Sequence, residues 1–115
     1  MHILIYSALA PKPVVWQGSS RADVRGFPEP AQHGIGGELW FVQLGLNPAD
    51  WKPMPVVGPG VREMRVHAGG EFRVLYVAHL AKAVYVLHAF HKKSRKTPKS
   101  DIEVARQRLR SLPRP

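Results

Sequence analysis

Apolar residues along the chain fall into two patterns, short runs typical of strands and longer stripes at helical spacing. The short runs are rich in β-branched and aromatic residues, and they predict four β-strands. Their ranges are residues 12–17, 61–67, 71–79 and 83–91. The turn signals between the last three runs are short, namely Ala68-Gly69-Gly70 and residues 80–82. Because neither can hold a parallel crossover, these three strands should form an antiparallel meander.

The helical stripes predict two longer helices, one in each half of the chain. The first begins at Phe27-Pro-Glu-Pro30, since proline is tolerated in a first turn, and has apolar spacings of four, three and four. Its stripe is Ile35, Leu39, Val42 and Leu46. The second has Thr97 as N-cap and Pro98 at its first position, and Pro113 ends it. Its stripe is Ile102, Ala105, Leu109 and Leu112.

A shorter helix and a loop complete the secondary structure. Ser19 and Ser20 are suitable N-caps, and Ser20-Arg-Ala-Asp23 resembles a capping box, so a short helix should run through Arg25. Residues 47–60 are rich in proline and glycine and are predicted to be a loop. Three glycines weaken the long N-terminal helix by about 1 kcal/mol each relative to alanine, or let a second helix approach closely. They are Gly34, Gly36 and Gly37.

The order of these elements, a strand, two helices, three strands and a helix, indicates an α+β fold. We expect a small, antiparallel-rich, four-stranded sheet packed by two N-terminal helices and one C-terminal helix, in two layers with the helices on one side. A chain of 115 residues supports one core. Residues 12–115 should form a single domain. Residues 1–11 are expected to be a poorly structured N-terminal extension. We do not interpret them as a signal peptide, because they lack a basic n-region and a clear cleavage site.

Charge is distributed unevenly, and the whole excess of +9 lies in the C-terminal half. Residues 1–60 hold four basic and four acidic residues, whereas residues 61–115 hold thirteen basic and four acidic ones. This asymmetry points to a polyanion, an acidic membrane surface or an acidic protein partner, or else to a merely soluble basic surface. No apolar run approaches the roughly 20 residues of a membrane span. The lack of cysteine excludes disulfides and thiolate zinc sites and fits a reducing cytosol.

Several segments, in this order and spacing, resemble the RelE/ParE superfamily of bacterial type II toxins, and most closely its HigB-like, phage-derived branch. They are Lys12-Pro-Val-Val-Trp16, Val61-Arg-Glu-Met-Arg65, Phe72-Arg-Val-Leu-Tyr76, Val84-Tyr-Val-Leu-His-Ala-Phe-His-Lys-Lys93 and Lys96-Thr-Pro98. The resemblance implies a small cytoplasmic RelE-like protein encoded beside an antitoxin, usually a helix-turn-helix protein, with which it forms a hetero-oligomer. Many members are mRNA interferases that bind the ribosome and cut translated mRNA.

The reaction that the resemblance implies needs no metal and no cofactor. The 2′-hydroxyl of the mRNA attacks the adjacent phosphate, so groups are needed to accept one proton, donate another and stabilise the phosphoryl charge. By resemblance, Arg73 is the phosphate-binding arginine, and Arg65 is a strand arginine with a less certain role. The alternative for both is a salt-bridged sheet arginine that pairs with Glu63 or Glu71. In a hairpin, the two arginines should be cross-strand or diagonal neighbours.

The end of the last strand supplies the other candidates. Strict alternation places His88 and His91 on opposite faces, which argues against a shared metal site. We take His91 as a possible acid or base because it adjoins the basic pair, and His88 as a packed or hydrogen-bonded core histidine. Lys93 joins Arg73 and His91 in the predicted catalytic set. The predicted RNA-binding residues are Arg65, Lys92, Arg95 and Lys96. The remaining histidines show no metal-ligand spacing.

One departure from the RelE pattern leaves the reaction open. The RelE prototype has a functional tyrosine in the first turns of its C-terminal helix, whereas this chain has Ser100-Asp-Ile-Glu-Val104 there. The identity of the general base is therefore open. Two alternatives remain beside the endoribonuclease, namely a ParE-like toxin that inhibits gyrase and a catalytically inactive, phage-derived RNA-binding module.

Overall fold

The computed structural model describes residues 10–113, which form five strands and three helices. The predicted N-terminal extension lies almost wholly outside these residues. In chain order the elements are β1 Val14–Trp16, α1 Ser20–Arg25, α2 Glu29–Gln43, β2 Trp51–Pro53, β3 Val61–His67, β4 Glu71–Val77, β5 Val84–Lys92 and α3 Lys99–Arg110. The predicted α+β class is confirmed.

One mixed sheet holds all five strands in the order β1-β5-β4-β3-β2. The predicted meander is confirmed, since β3, β4 and β5 pair antiparallel, while β1 pairs parallel with β5. The predicted count of four strands was wrong, because residues 51–53 form a short strand at the edge beside β3. This strand was hidden in the proline-rich stretch predicted to be a loop. Pro53 is compatible with it because an edge strand leaves one side unpaired.

Helices cover both faces of the sheet, so the expected two-layer arrangement was wrong. The helices α1 and α2 pack on one face, over a core that includes Met64, Phe72 and Val86. The helix α3 packs on the other face, over a core that includes Leu75 and Leu87. The physical reason is visible in β4 and β5, where nearly every residue is buried. A central strand that is apolar on both faces must be covered on both.

An irregularity in β5 changes which of its side chains share a face. Tyr76 pairs with Val86, but the adjacent Leu75 pairs with His88, so Leu87 is an extra residue in the strand. Such a β-bulge shifts the alternation by one position beyond it. His88 therefore lies on the same face of the sheet as Leu87, which is the face on which α3 packs. His88 and His91 still lie on opposite faces, because no irregularity separates them.

The ends of the helices differ in detail from the predictions. Leu46 lies beyond the end of α2 and is 56% exposed, so it does not belong to the buried stripe. The expected capping box does not form, because the Ser20 hydroxyl donates to the carbonyl oxygen of Val86 at 3.3 Å. Ser19 stands at the N-cap position, and its hydroxyl donates to the Asp23 carboxylate at 2.8 Å. Pro98 stands at the N-cap position of α3.

Candidate functional site

An open groove of about 380 Å³ lies at one end of the sheet face on which α3 packs. It is lined by Glu71, Arg73, Lys92, Lys93, Ser94 and Arg95. Four of these six residues are among the candidates predicted from the sequence, and all four are cationic. The fold therefore gathers Arg73 with the basic residues that follow the last strand.

The register of the sheet explains this gathering. Glu71 pairs with Lys92, and Arg73 pairs with Phe90, so the start of β4 lies beside the end of β5. The helix α3 packs over the other part of this face, and Asp101 in its first turn contacts His88. Beyond it, Lys93, Ser94 and Arg95 are exposed and Lys92 is half-buried, whereas Arg73 is buried.

Arg73 lies at the base of the groove and is only 6% exposed. Its Nη2 donates to Oε1 of Glu71 at 3.1 Å, and its Nη1 donates to the carbonyl oxygen of Phe72 at 3.0 Å. Its Nε lies 3.8 Å from Oε1 of Glu63, which is too far for a hydrogen bond. The salt-bridged arrangement proposed as an alternative thus occurs for Arg73, within the same groove as the basic residues.

A fully buried carboxylate, Glu63, lies between the two strand arginines. Arg65 and Arg73 are directly paired across β3 and β4, as the hairpin predicted. The Nε of Arg65 donates to Oε1 of Glu63 at 3.1 Å, and its Nη1 lies 4.0 Å from Asp50. The Glu63 carboxylate thus offsets the repulsion between the guanidinium groups, and Arg65 points away from the groove lining.

His67 links three segments at the rim of this cluster. Its Nδ1 lies 2.8 Å from both carboxylate oxygens of Glu71, and its Nε2 lies 2.8 Å from Oδ2 of Asp50. The hydrogen bond to Glu71, followed by that to Asp50, raises the pKa of the His67 imidazole. The same contact, together with Arg73, holds the pKa of the Glu71 carboxyl below its usual value. Both shifts favour the ion pair between His67 and Glu71.

The two histidines of β5 have different surroundings. His88 is 9% exposed, and its Nε2 lies 2.6 Å from Oδ1 of Asp101, which matches the predicted hydrogen-bonded core histidine. The exposed ring of His91 stacks on Phe72 with centroids 4.6 Å apart. Phe72 belongs to the core under α1 and α2, so His91 and Arg73 lie on opposite faces of the sheet.

Two further candidates stand apart from the groove. Arg65 is turned toward Glu63 and Asp50, and Lys96 is exposed in the segment between β5 and α3, where its carbonyl oxygen accepts from the Ser94 hydroxyl. The first turn of α3, which lacks the RelE tyrosine, presents Asp101 to His88. Of the predicted RNA-binding residues, the groove therefore holds only Lys92 and Arg95.

Neither a metal centre nor a membrane span emerges from residues 10–113. In that part of the chain, no group of three or more histidine, aspartate or glutamate side chains is placed to hold a metal ion. No helix within the same range has the length and apolarity needed to cross a membrane.

A family model for the phage-derived protein Gp49-like family (DUF891) matches residues 22–110. The chain belongs to the Gp49-like family. This Gp49-like family is part of the RelE/HigB toxin-like group, which confirms the resemblance at that level. Membership is consistent with a toxin of a toxin–antitoxin system and implies an antitoxin partner. No curated protein matches the chain at a significant level.

In this Gp49-like protein, the sequence pointed to Glu63 and Glu71 as partners of the arginines but not to His67 and Asp50. His67 is exposed, and it pairs across the Gly-Gly turn with Glu71, which the hairpin register fixes. The signal was present, since a histidine and a glutamate flanking a tight turn become cross-strand neighbours. Asp50 gave no such signal, because its approach depends on β2, which was not predicted.

Proposed function

We propose that this Gp49-like protein is a HigB-like type II toxin, a cytoplasmic endoribonuclease that cuts ribosome-bound mRNA without a metal. The observation that carries the proposal is the groove in which Arg73 meets Lys92, Lys93 and Arg95. A concave site with four cations suits a substrate whose charge is repeated along a phosphate backbone. Family membership supports the toxin class.

Each cation has a distinct part in the proposal. Arg73 binds the scissile phosphate, because its planar guanidinium is fixed by neighbours and matches the phosphoryl oxygens. Lys92 and Arg95 hold the flanking backbone, and Lys93 supplies a proton to the leaving 5′-oxygen. His91 stays a predicted acid or base, and its position on the other face makes His91→Ala the test of whether RNA reaches it.

The proposed antitoxin is a helix-turn-helix protein that forms a hetero-oligomer with this chain. Four cations in one groove require an acidic cover when the protein is held inactive. An acidic segment of the antitoxin that lies along the groove would compete directly with RNA for Arg73 and Lys92. A helix-turn-helix protein in the adjacent reading frame would support this part of the proposal.

The proposal is tested by induced expression in a bacterium, with growth and cleavage of translated transcripts as readouts. The wild type should stop growth and cut mRNA, and Lys92→Ala/Lys93→Ala should reduce cleavage at least about 100-fold through lost phosphate binding. Arg73→Lys should reduce it similarly. Arg21→Ala is the matched control, because Arg21 is an exposed arginine on α1, far from the groove.

Each other outcome contradicts the proposal in a different way. Intact transcripts with normal growth of the wild type would remove the endoribonuclease and favour an inactive RNA-binding module. Arrested growth with intact mRNA and relaxed plasmids would identify gyrase as the target. Equal cleavage by the wild type and the lysine double variant would show that the groove is not the site.

A further inference from the structure

We infer that Glu71 is the general base that removes the proton from the attacking 2′-hydroxyl. This inference rests on the proposed endoribonuclease function and assigns the general base, whose identity the sequence left open. It starts from the composition of the groove, whose six lining residues include five that are cationic or neutral and a single carboxylate. A base must accept a proton beside a phosphate held by cations, and Glu71 is the group in the lining with that chemistry.

The position of Glu71 fits this role. Its Oε1 lies 3.1 Å from Nη2 of Arg73, so a phosphate bound by Arg73 would lie against the same carboxylate. Glu71 also pairs with Lys92 across the sheet, at the point where the groove opens. Its side chain is 45% exposed, which leaves it accessible to a ribose hydroxyl.

His67 holds this carboxylate in place. Its Nδ1 contacts both oxygens of Glu71 at 2.8 Å, and its Nε2 contacts Asp50, which is itself tied to β3 by the backbone hydrogen bond from Arg65 N to Asp50 O. Both ring nitrogens lie within hydrogen-bond distance of carboxylate oxygens, and these contacts raise the pKa of the His67 imidazole. The histidine thus orients Glu71, and His67 is a positioning residue.

The other acidic and histidine side chains near the groove are less suited to the role. Glu63 is fully buried beneath Arg65 and Arg73, so a ribose hydroxyl cannot reach it. His88 is nearly buried and bound to Asp101. His91 lies on the opposite face of the sheet, stacked on Phe72. Accessibility and contact with Arg73 coincide only at Glu71.

The step conserves protons and electrons. The 2′-hydroxyl proton passes to the Glu71 carboxylate while the 2′-oxygen forms a bond to phosphorus. The bond from phosphorus to the 5′-oxygen breaks, and that oxygen takes a proton from the Lys93 ammonium. The products are a 2′,3′-cyclic phosphate and a 5′-hydroxyl, and Glu71 later returns its proton to Lys93 through water.

Two measurements on Glu71→Gln separate a base from a mere ion-pair partner. Cleavage of ribosome-bound mRNA should fall at least about 100-fold, which is the lower end for loss of a general base. Affinity for a non-cleavable RNA with 2′-O-methyl groups should stay equal or rise, because a negative charge has left the groove. Glu71→Asp keeps a carboxylate and should recover part of the rate. Glu103→Gln, an exposed carboxylate on α3, is the matched control.

Three results would overturn the inference. If Glu71→Gln cleaves as fast as the wild type or faster, the carboxylate only competes with phosphate for Arg73. If the variant loses both cleavage and RNA affinity with a lowered melting temperature, its role is structural. These two results leave the endoribonuclease intact as long as the wild type cleaves and Arg73→Lys does not. A wild type that never cleaves removes the proposed function and the base with it.

Discussion

Glu63 determines how Arg73 can remain charged while almost buried. A guanidinium with little access to water needs a nearby counter-charge, and Glu63 supplies one from beneath while Glu71 supplies another at the surface. The buried carboxylate also separates Arg73 from Arg65 on the neighbouring strand. If Arg73 binds phosphate as proposed, Glu63 permits a cation at this position and has no direct part in binding.

Replacing Glu63 should be costly to stability. Glu63→Gln leaves Arg65 a hydrogen-bond acceptor but removes the buried charge, so we expect a loss on the order of 3 kcal/mol in the free energy of unfolding. Urea unfolding at equilibrium measures it. Glu103→Gln removes a comparable contact, the 2.7 Å pair with Arg106, at the exposed surface and should cost under about 0.5 kcal/mol. Equal losses for the two variants would refute this account of Glu63.

For single residues, the sequence predicted the correct ion-pair partners of the strand arginines but not the geometry of their contacts. It offered Glu63 and Glu71 as pairing partners for the strand arginines, and both pairs occur. It could not separate a salt-bridged arginine from a phosphate-binding one, because alternation gives the face of a side chain and not its contacts. His91 was grouped with Arg73 because it adjoins the basic pair along the chain, but the two side chains lie on opposite faces of the sheet.

Among the elements, α2 shows how glycine can have opposite effects within one helix. A Cβ at Gly34 would lie 2.7 Å from Cγ1 of Val66, so the glycine lets α2 approach β3 closely. The expected close approach thus occurs, but to a strand and not to a second helix. Gly36 and Gly37 have open space around them and contribute only the entropic weakness of glycine.

Alanine substitutions at the three glycines should therefore change the stability of the protein in opposite directions. Gly36→Ala and Gly37→Ala should each stabilise the protein by about 0.5–1 kcal/mol, because alanine loses less backbone entropy in a helix. Gly34→Ala should destabilise it, since Val66 or the helix must move to relieve the contact. Thermal unfolding of the three variants checks the series. A stabilising Gly34→Ala would show that α2 does not need this approach.

The elements themselves were largely predictable, and their arrangement was less so. The β3–β4 hairpin followed from turn chemistry alone, and Gly69 at its turn has the positive φ, +71°, that such turns favour. The strand β2 was missed because proline and glycine dominate its surroundings. The side of the sheet on which α3 packs was missed as well, although the nearly unbroken apolar character of β4 and β5 signals a sheet covered twice.

For the molecule as a whole, the excess charge is less available than its sum suggests. Arg106 donates to Glu103 and to the carbonyl oxygen of Val56, and Arg108 donates to Leu87 and Ser19. These arginines fasten α3 to its surroundings. Composition locates the cations in the C-terminal half, but it cannot distinguish arginines that stabilise the fold from cations that are free to bind a ligand. The structure shows the difference, because Arg106 and Arg108 bind other parts of the protein whereas the groove at the end of β5 is lined by other cations.

The salt dependence of RNA binding should distinguish the cations of the groove from the arginines that hold α3 in place. Each phosphate contact adds about 0.7 to the slope of log affinity against log salt for single-stranded RNA. Lys92→Ala/Lys93→Ala should therefore reduce that slope by about 1.4, whereas Arg106→Ala should leave it unchanged. Titrations of a non-cleavable RNA at several salt concentrations measure both. A slope that falls equally in the two variants would contradict a local binding site.

The extra residue at Leu87 has a consequence for comparing members of the family. A homologue that has the same number of residues in β5 but lacks the bulge would carry the histidine and lysine that follow on the reverse side of the sheet, even where the letters coincide. Two chains can then share a motif in an alignment while only one directs it toward the groove. The faces on which these side chains lie in a related protein therefore depend on the bulge as well as on the motif.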